Sequence, residues 1–278
     1  MLEIPESHTV AGQLKQTVAG KTIARVQAAK SPHRFAWYNG ETEHYPDMLC
    51  GRQITDAYAL CGQVVMAAED MRVAISDGVN VRFYEAGEKL PEKHQLYVGF
   101  EDGTGLCCTV QMYGGMMAFQ EGGYDNPYYL AALQKAPYSP LEEAFDRAYF
   151  DEIVEEAGPK SSVKALLATQ QRIPGLGNGC LQDILWSAKV NPQSKTGALD
   201  ETELDALFKS VKSTIADMTQ RGGRNTEKDL FGHPGGYRCI LSSGTLWHPC
   251  PRCGGSITRK VYMGGNIYFC PACQPVKK

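Results

Sequence analysis

The chain has 278 residues, enough for two domains with separate cores, and its 43% hydrophobic and 21% charged content is ordinary for a globular protein. Its formal net charge of −3 counts against a strong nucleic-acid binder. No apolar run of roughly eighteen residues is present and no basic stretch leads into an apolar one at the N-terminus, so neither a membrane span nor a secretion signal is predicted. A cytoplasmic protein with ten reduced cysteines is expected.

An amphipathic helix is predicted around Ser7–Val18. Short segments follow at Gln63–Ala68, Val79–Glu85, Gln95–Phe100 and Leu106–Val110, separated by Gly, Asp and Asn. Asp77-Gly78 and Asp102-Gly103 are tight-turn pairs. This pattern predicts an antiparallel β-sandwich or flattened barrel over residues 1–123. Within it Arg34, Phe35, Trp37 and Tyr38 form a basic-aromatic cluster, which reads as strand residues packed in the core or, in second place, as rings that stack on bases. Adjacent Cys107 and Cys108 on a strand point to opposite faces, which argues against a bond between them. The six cysteines outside the terminal hairpin read as small apolar fillers.

Residues 124–140, rich in Pro and Tyr, read as a linker. A helical domain is expected over 141–238, with helices near Leu141–Arg147, Ser161–Thr169, Gly179–Ser187 and Glu201–Arg221. Asp200 is the N-cap of the last one. Arg221 and Arg224 flank Gly222-Gly223, either as solvated charges or within reach of phosphates. Between two helices lies Ile173-Pro174-Gly175-Leu176-Gly177-Asn178-Gly179. Gly175 and Gly177 permit tight turns, the next helix begins there, and Asn178 offers a side-chain donor, so the turn can cradle a phosphate.

The last domain, 239–278, contains Cys250-Pro-Arg-Cys253 and, sixteen residues further on, Cys270-Pro-Ala-Cys273. Two CxxC knuckles joined by a hairpin suit one structural, tetrahedral zinc. From Cys250 to Lys278 the chain carries Arg252, Arg259, Lys260, Lys277 and Lys278 and no acid. Residues 1–135 carry 11 basic and 16 acidic side chains (−5), and residues 136–278 carry 17 and 15 (+2). The positive surface is therefore C-terminal, and a polyanion partner is expected for the finger.

In order, length and motifs the chain resembles the formamidopyrimidine-DNA glycosylase/endonuclease VIII family. The opening Met1-Leu2-Glu3-Ile4-Pro5-Glu6 is similar to the family's Met-Pro-Glu-Leu-Pro-Glu. Pro174-Gly175-Leu176-Gly177-Asn178 resembles its helix–two-turns–helix element, whose Asn contacts a DNA phosphate. Gly222-Gly223-Arg224 with Lys228-Asp229-Leu230-Phe231 is similar to its Gly-Gly-Thr-Thr-Leu-x-Asp-Phe segment, and Cys250 to Cys273 to its zinc finger. The resemblance implies an α+β protein: an N-terminal β-sandwich, a C-terminal helical domain with helix–two-turns–helix, and a zinc-finger hairpin. It also implies a monomer that acts on damaged or abasic double-stranded DNA, with no membrane partner, as a base-excision glycosylase and AP lyase.

The family's nucleophile is an N-terminal proline freed by removal of methionine, which attacks the sugar C1′ as a Schiff-base-forming amine. Here Glu3 and Glu6 stand where the family has its paired acids, but position 2 is leucine. Met1 is expected to stay, and its α-amine becomes the candidate nucleophile. Gln63 stands at the family's phosphate-binding lysine, and Met112-Tyr113 at its intercalating arginine, where either could wedge into a base stack. Gly265 stands at the finger's arginine, leaving Arg259 and Lys260 as the hairpin's cations. These substitutions leave two expectations: a glycosylase with changed chemistry, or a protein that binds damaged, abasic or distorted DNA without a Schiff base.

Overall fold

The computed structural model describes residues 1–278, which form two compact units: Met1–Leu133 with Gly222–Gly236, and Gln134–Arg221 with Tyr237–Lys278.

The first unit opens with helix α1, Ile4–Val18. It starts earlier than its apolar periodicity alone indicates, because Pro5 suits a first turn and the Glu6 carboxylate accepts the Glu3 N–H at 3.3 Å. Strands β1 (Ile23–Ala28) and β2 (Ala36–Trp37) and a short helix α2 (Tyr45–Leu49) follow. Next come β3 (Ile54–Leu60), β4 (Gln63–Ala68), β5 (Met71–Ile75), β6 (Val79–Tyr84), β7 (Leu96–Phe100), β8 (Gly105–Val110) and β9 (Gly114–Gln120). They build one sheet of order β1-β7-β8-β6 and another of order β2-β9-β5-β4-β3. All pairs are antiparallel except the short edge strand β2, which runs parallel to β9.

One core joins both sheets and α1. Val64, Met66 and Ala68 of β4 and Met71, Val73 and Ile75 of β5 enter it at the period of two that a strand imposes. Leu14 and Val18 of α1, both with no exposed surface, close it from the helix side. Each such side chain contributes about 1.5–3 kcal/mol relative to exposure. Cys107 and Cys108 are both buried, whereas Cys50 is exposed and is no core filler.

The linker expected at 124–140 contains a helix, α3 (Pro127–Lys135). Asn126 caps it, its Oδ1 accepting the N–H groups of Tyr128 at 3.0 Å and Tyr129 at 3.2 Å. Tyr124 and Tyr129 pack on Phe119 with ring centroids 4.5 and 5.0 Å away, so these tyrosines belong to the first unit's own packing.

The second unit holds α4 (Arg147–Ala157), α5 (Val163–Ala168), α6 (Asn178–Ala188), α7 (Glu201–Gln220) and the hairpin of β10 (Thr258–Tyr262) and β11 (Gly265–Phe269). The helix expected at Leu141–Arg147 is absent. That stretch makes isolated turns, and the helix begins at Arg147 because Asp146 accepts the Tyr149 N–H at 2.8 Å. Ser162 caps α5 in the same way, and Asp200 and Glu203 form a reciprocal capping box on α7. Helix α6 packs on α7 and on β11, and buried Asp183 accepts the N–H groups of Ile240 and Leu241 at 2.8 and 2.7 Å.

Residues 222–236, expected with the helical domain, fold instead with the first unit. Gln13 of α1 donates to Asp229 at 2.8 Å and accepts the Leu230 N–H at 3.0 Å, and Leu230 is fully buried in the β core. The segment returns tightly on itself: a Cβ on Gly235 would lie 2.2 Å from the Gly223 carbonyl oxygen, so only glycine fits there.

Candidate functional site

The start of α1 and the segment 222–236 bring a dense set of charges together in the first unit. Glu3 and Glu6 are almost entirely buried, and so is Arg224. The Arg224 guanidinium grips Glu6 side-on, Nε donating to Oε1 at 3.0 Å and Nη2 to Oε2 at 2.8 Å, while its backbone N–H donates to the same Oε1 at 3.0 Å. Its Nη1 lies 3.3 Å from Glu3 Oε1, and Nη2 reaches the Met1 carbonyl at 3.4 Å. The expectation that Arg224 is a solvated charge or a phosphate contact is therefore corrected: one buried cation is shared by two buried carboxylates. The Met1 ammonium is ion-paired with Glu227. Leu2 donates its N–H to the Asp77 carbonyl at 2.8 Å, which holds the chain end along the turn before β6. Met1, Leu2, Glu6, Val10, Arg82 and Glu227 line a small pocket there.

Burial raises the Asp77 carboxyl above the ordinary aspartate range, with Ser76 Oγ, 3.1 Å away, opposing the shift. Burial also lowers the Arg82 guanidinium, partly offset by Asp229. Tyr113 is half-buried and raised by desolvation, with smaller contributions from Asp77 and Glu3, so its hydroxyl lies within their field. Sequence reasoning missed Glu227 and the role of Arg224. The only available signal was the clustering of Arg224, Glu227 and Asp229 after Gly222-Gly223, which gives no hint of a partner near residue 1.

In the second unit Gly175 adopts φ +81°, Gly177 is the extended N-cap of α6, and Asn178 opens the helix. Asn178 turns toward the hairpin: its Nδ2 donates to the Asn266 carbonyl at 2.7 Å. Buried Gln182 ties the same place together, donating to the carbonyls of Asn178 and Asn266 and accepting the Tyr268 N–H at 2.9 Å. Lys164 Nζ donates to the Tyr262 carbonyl at 2.6 Å, and a Cβ on Gly265 would stand 3.4 Å from that amine. The α6 turn and the hairpin tip thus form one polar cluster. Arg259 is exposed, and Lys260 donates to Gln193 at 3.2 Å. Arg252 lies over the Trp186 ring at 4.1 Å and donates to its carbonyl.

The sulfurs of Cys250, Cys253, Cys270 and Cys273 lie within 4.8 Å of one another and can hold a metal ion. Cys250 and Cys273 are 3.9 Å apart, and Cys253 and Cys270 3.5 Å. The Trp186 indole N–H donates to Cys250 Sγ and the Gly255 N–H to Cys253 Sγ, both at 3.4 Å, which suits thiolate charge.

The profile of the formamidopyrimidine-DNA glycosylase H2TH domain matches residues 137–229. A formamidopyrimidine-DNA glycosylase of Ligilactobacillus salivarius is 32% identical over 200 residues, covering 70% of this chain and 71% of the relative. The chain belongs to the formamidopyrimidine-DNA glycosylase family. The enzyme of that name from Brevibacillus brevis is 27% identical over 280 residues, spanning 99% of both chains. The solved structure of the MutM (Fpg) protein of Thermus thermophilus superposes with a TM-score of 0.81 at 25% identity, covering 99% of this chain and all of that one.

The structure gives surroundings to the four places where the sequence reading expects departures from the family pattern. Leu2 is half-buried against the β core. Gln63 opens β4 after a turn in which Cys61 takes φ 54°. Met112 is 63% exposed, and Tyr113 lies 5.9 Å from the Trp37 ring. Gly265 begins β11 beside Lys164 and Asn178.

Proposed function

We propose that this chain is a base-excision glycosylase that cleaves the N-glycosidic bond of a damaged base in duplex DNA. Formamidopyrimidine lesions are the first substrate to test, because the relatives are named for them. The observation that carries the chemistry is the buried pair of Glu3 and Glu6 on one arginine. Glu6 is consumed by its side-on clasp and serves to hold the helix start. Glu3 is the general base. Its Oε1 lies 3.3 Å from Arg224, and Glu3 takes a proton from water as the water oxygen attacks C1′ and the C1′–N bond breaks, its electron pair leaving with the base.

The Met1 amine is not the nucleophile in this proposal. Its ion pair with Glu227 ties it down, and position 2 supplies no secondary amine. Base release without efficient strand cleavage follows. Asn178, with Gly175 and Gly177, contacts a DNA phosphate together with Arg259 and Lys260. Gln63, Met112 and Tyr113 face the lesion-bearing duplex. The four cysteines would hold one structural zinc, since four thiol sulfurs this close together suit a single thiolate-bound ion. The chain acts as a monomer in the cytoplasm.

A second proposal, a DNA reader without chemistry, is favoured by the paired amine and the four family positions that differ. Glu3→Gln separates the two. The enzyme reading expects base release to fall at least about 100-fold, with the dissociation constant for the same duplex within about threefold. Release by the wild type that Glu3→Gln leaves unchanged contradicts the assignment of Glu3, and no release at all with tight binding favours the reader.

A further inference from the structure

Phe35 and Trp37 stand apart from the site described above. Of the two readings the sequence allows, core packing and base stacking, the structure contradicts the first: they are 46% and 47% exposed. The reason is the two-residue period of the edge strand. Ala36 and Tyr38 turn inward against the core, Tyr38 anchored by its hydroxyl donating to the Gln95 carbonyl at 3.0 Å, and this turns Phe35 and Trp37 outward. The segment is fixed by pairing: the Gly114 N–H donates to the Phe35 carbonyl at 3.0 Å, and Ala36 and Trp37 lie beside Gly114 and Gly115. Two rings held outward on a rigid edge, with the Tyr113 ring 5.9 Å from Trp37 at 44°, leave aromatic faces open to solvent.

The charges around these rings say what kind of partner fits. Between Lys30 and Gly40 there are Lys30, His33 and Arg34 and no acid, in a half of the chain that carries −5 overall. Neither Lys30 nor Arg34 is paired with a carboxylate, and the Arg34 guanidinium lies over the Phe35 ring at 5.2 Å. Flat rings interleaved with uncompensated cations suit a nucleobase stacked on the ring and a phosphate beside the guanidinium. An apolar protein partner would leave those cations without a counter-charge.

We propose that Arg34, Phe35, Trp37 and Tyr113 form a stacking surface for an unpaired nucleobase, so that this protein prefers DNA containing extruded or single-stranded nucleotides over fully paired duplex. The inference rests on the DNA-binding part of the proposed function and not on its bond cleavage.

The test compares two labelled DNA probes at one fixed salt concentration: a fully paired duplex, and the same duplex carrying a short unpaired loop. Dissociation constants are measured by fluorescence anisotropy for the wild type, Trp37→Ala, Phe35→Ala, Trp37→Phe and the control Trp247→Ala, whose side chain is 89% exposed in the second unit. The expected result is tighter wild-type binding to the looped probe. Trp37→Ala and Phe35→Ala weaken that complex about tenfold, as loss of one stacked base should, and leave the paired duplex within twofold. Trp37→Phe keeps most of the preference and Trp247→Ala keeps all of it. Equal losses on both probes, or none, overturn the proposal, and the second outcome leaves the exposed rings to a protein partner. A wild type that releases base but shows no loop preference overturns this inference alone. One that prefers loops yet releases no base overturns the glycosylase reading alone.

Discussion

Arg224 carries more of the electrostatic account than any other side chain, because it is the buried cation shared by Glu3 and Glu6. Removing one partner of a buried ion pair costs about 3–5 kcal/mol, since the remaining charges lose their compensation. Arg224→Met is expected to lower the unfolding free energy by an amount of that order, read from urea denaturation as a fall in midpoint at unchanged slope, and adding Glu6→Gln to it should recover a substantial part. A midpoint within experimental error of wild type would remove Arg224 from this role. Asp77 tests the neighbouring turn. Its folded pKa is raised by burial, so its contribution to stability is full below the unfolded value and is lost as the pH rises through the folded one. Asp77→Asn is therefore expected to melt with the wild type near pH 3, below the ordinary aspartate pKa of about 3.9, and above it near pH 7. A constant difference across that range would mean that the carboxyl does not titrate as described. Neither Arg224 nor Glu227 was legible as a partner of the chain end. Arg224 bonds to Glu6 across 218 positions, and a lone arginine after Gly-Gly has no local signal that separates a buried clamp from a solvated charge.

Elements were most legible where local chemistry sets them. Strand β4 lies where a short segment between Gly and Asp turn residues places it, and α7 starts at the Asp200 cap that its Glu203 completes. Asp200→Ala should cost about 1 kcal/mol, read as a fall in the second unit's thermal midpoint, and no fall would mean that the box is not formed in solution. The helix expected at Leu141–Arg147 failed because apolar residues before Asp146 were read as a helix face, whereas that residue's cap of the Tyr149 N–H starts the helix later. Helix α3 was hidden inside a Pro- and Tyr-rich stretch, although Asn126-Pro127 is itself a cap followed by a suitable first residue. Phe35 and Trp37 were placed inward because aromatic strand residues usually pack, and only the parity set by Tyr38 decides otherwise.

At the scale of the whole molecule, the sandwich, helices α1, α5, α6 and α7 and the terminal cysteine hairpin were legible from periodicity and spacing, and the resemblance ordered them. The route of the chain between units was not. Residues 222–236 return to the first unit after α7, held by Gln13 and the buried Leu230, and no composition change marks that return. Metal removal tests the second unit by itself. Chelation should release one zinc per chain, destabilise the second unit and leave the first unit's melting transition in place, because structural zinc contributes directly to folding. Less than one metal ion per chain in purified protein, with unchanged melting after chelation, would contradict the zinc assignment.

The measurement closest to the central claim is a parallel assay of wild-type protein on duplex DNA with one formamidopyrimidine, scoring released base by mass spectrometry and the protein–DNA adduct by borohydride trapping. The account predicts released base with little strand cleavage and no trapped adduct, because water activated by Glu3 does the attack while Glu227 holds the Met1 ammonium. A stoichiometric adduct mapping to Met1 would contradict it, as would no base release from a duplex shown in the same tubes to be bound.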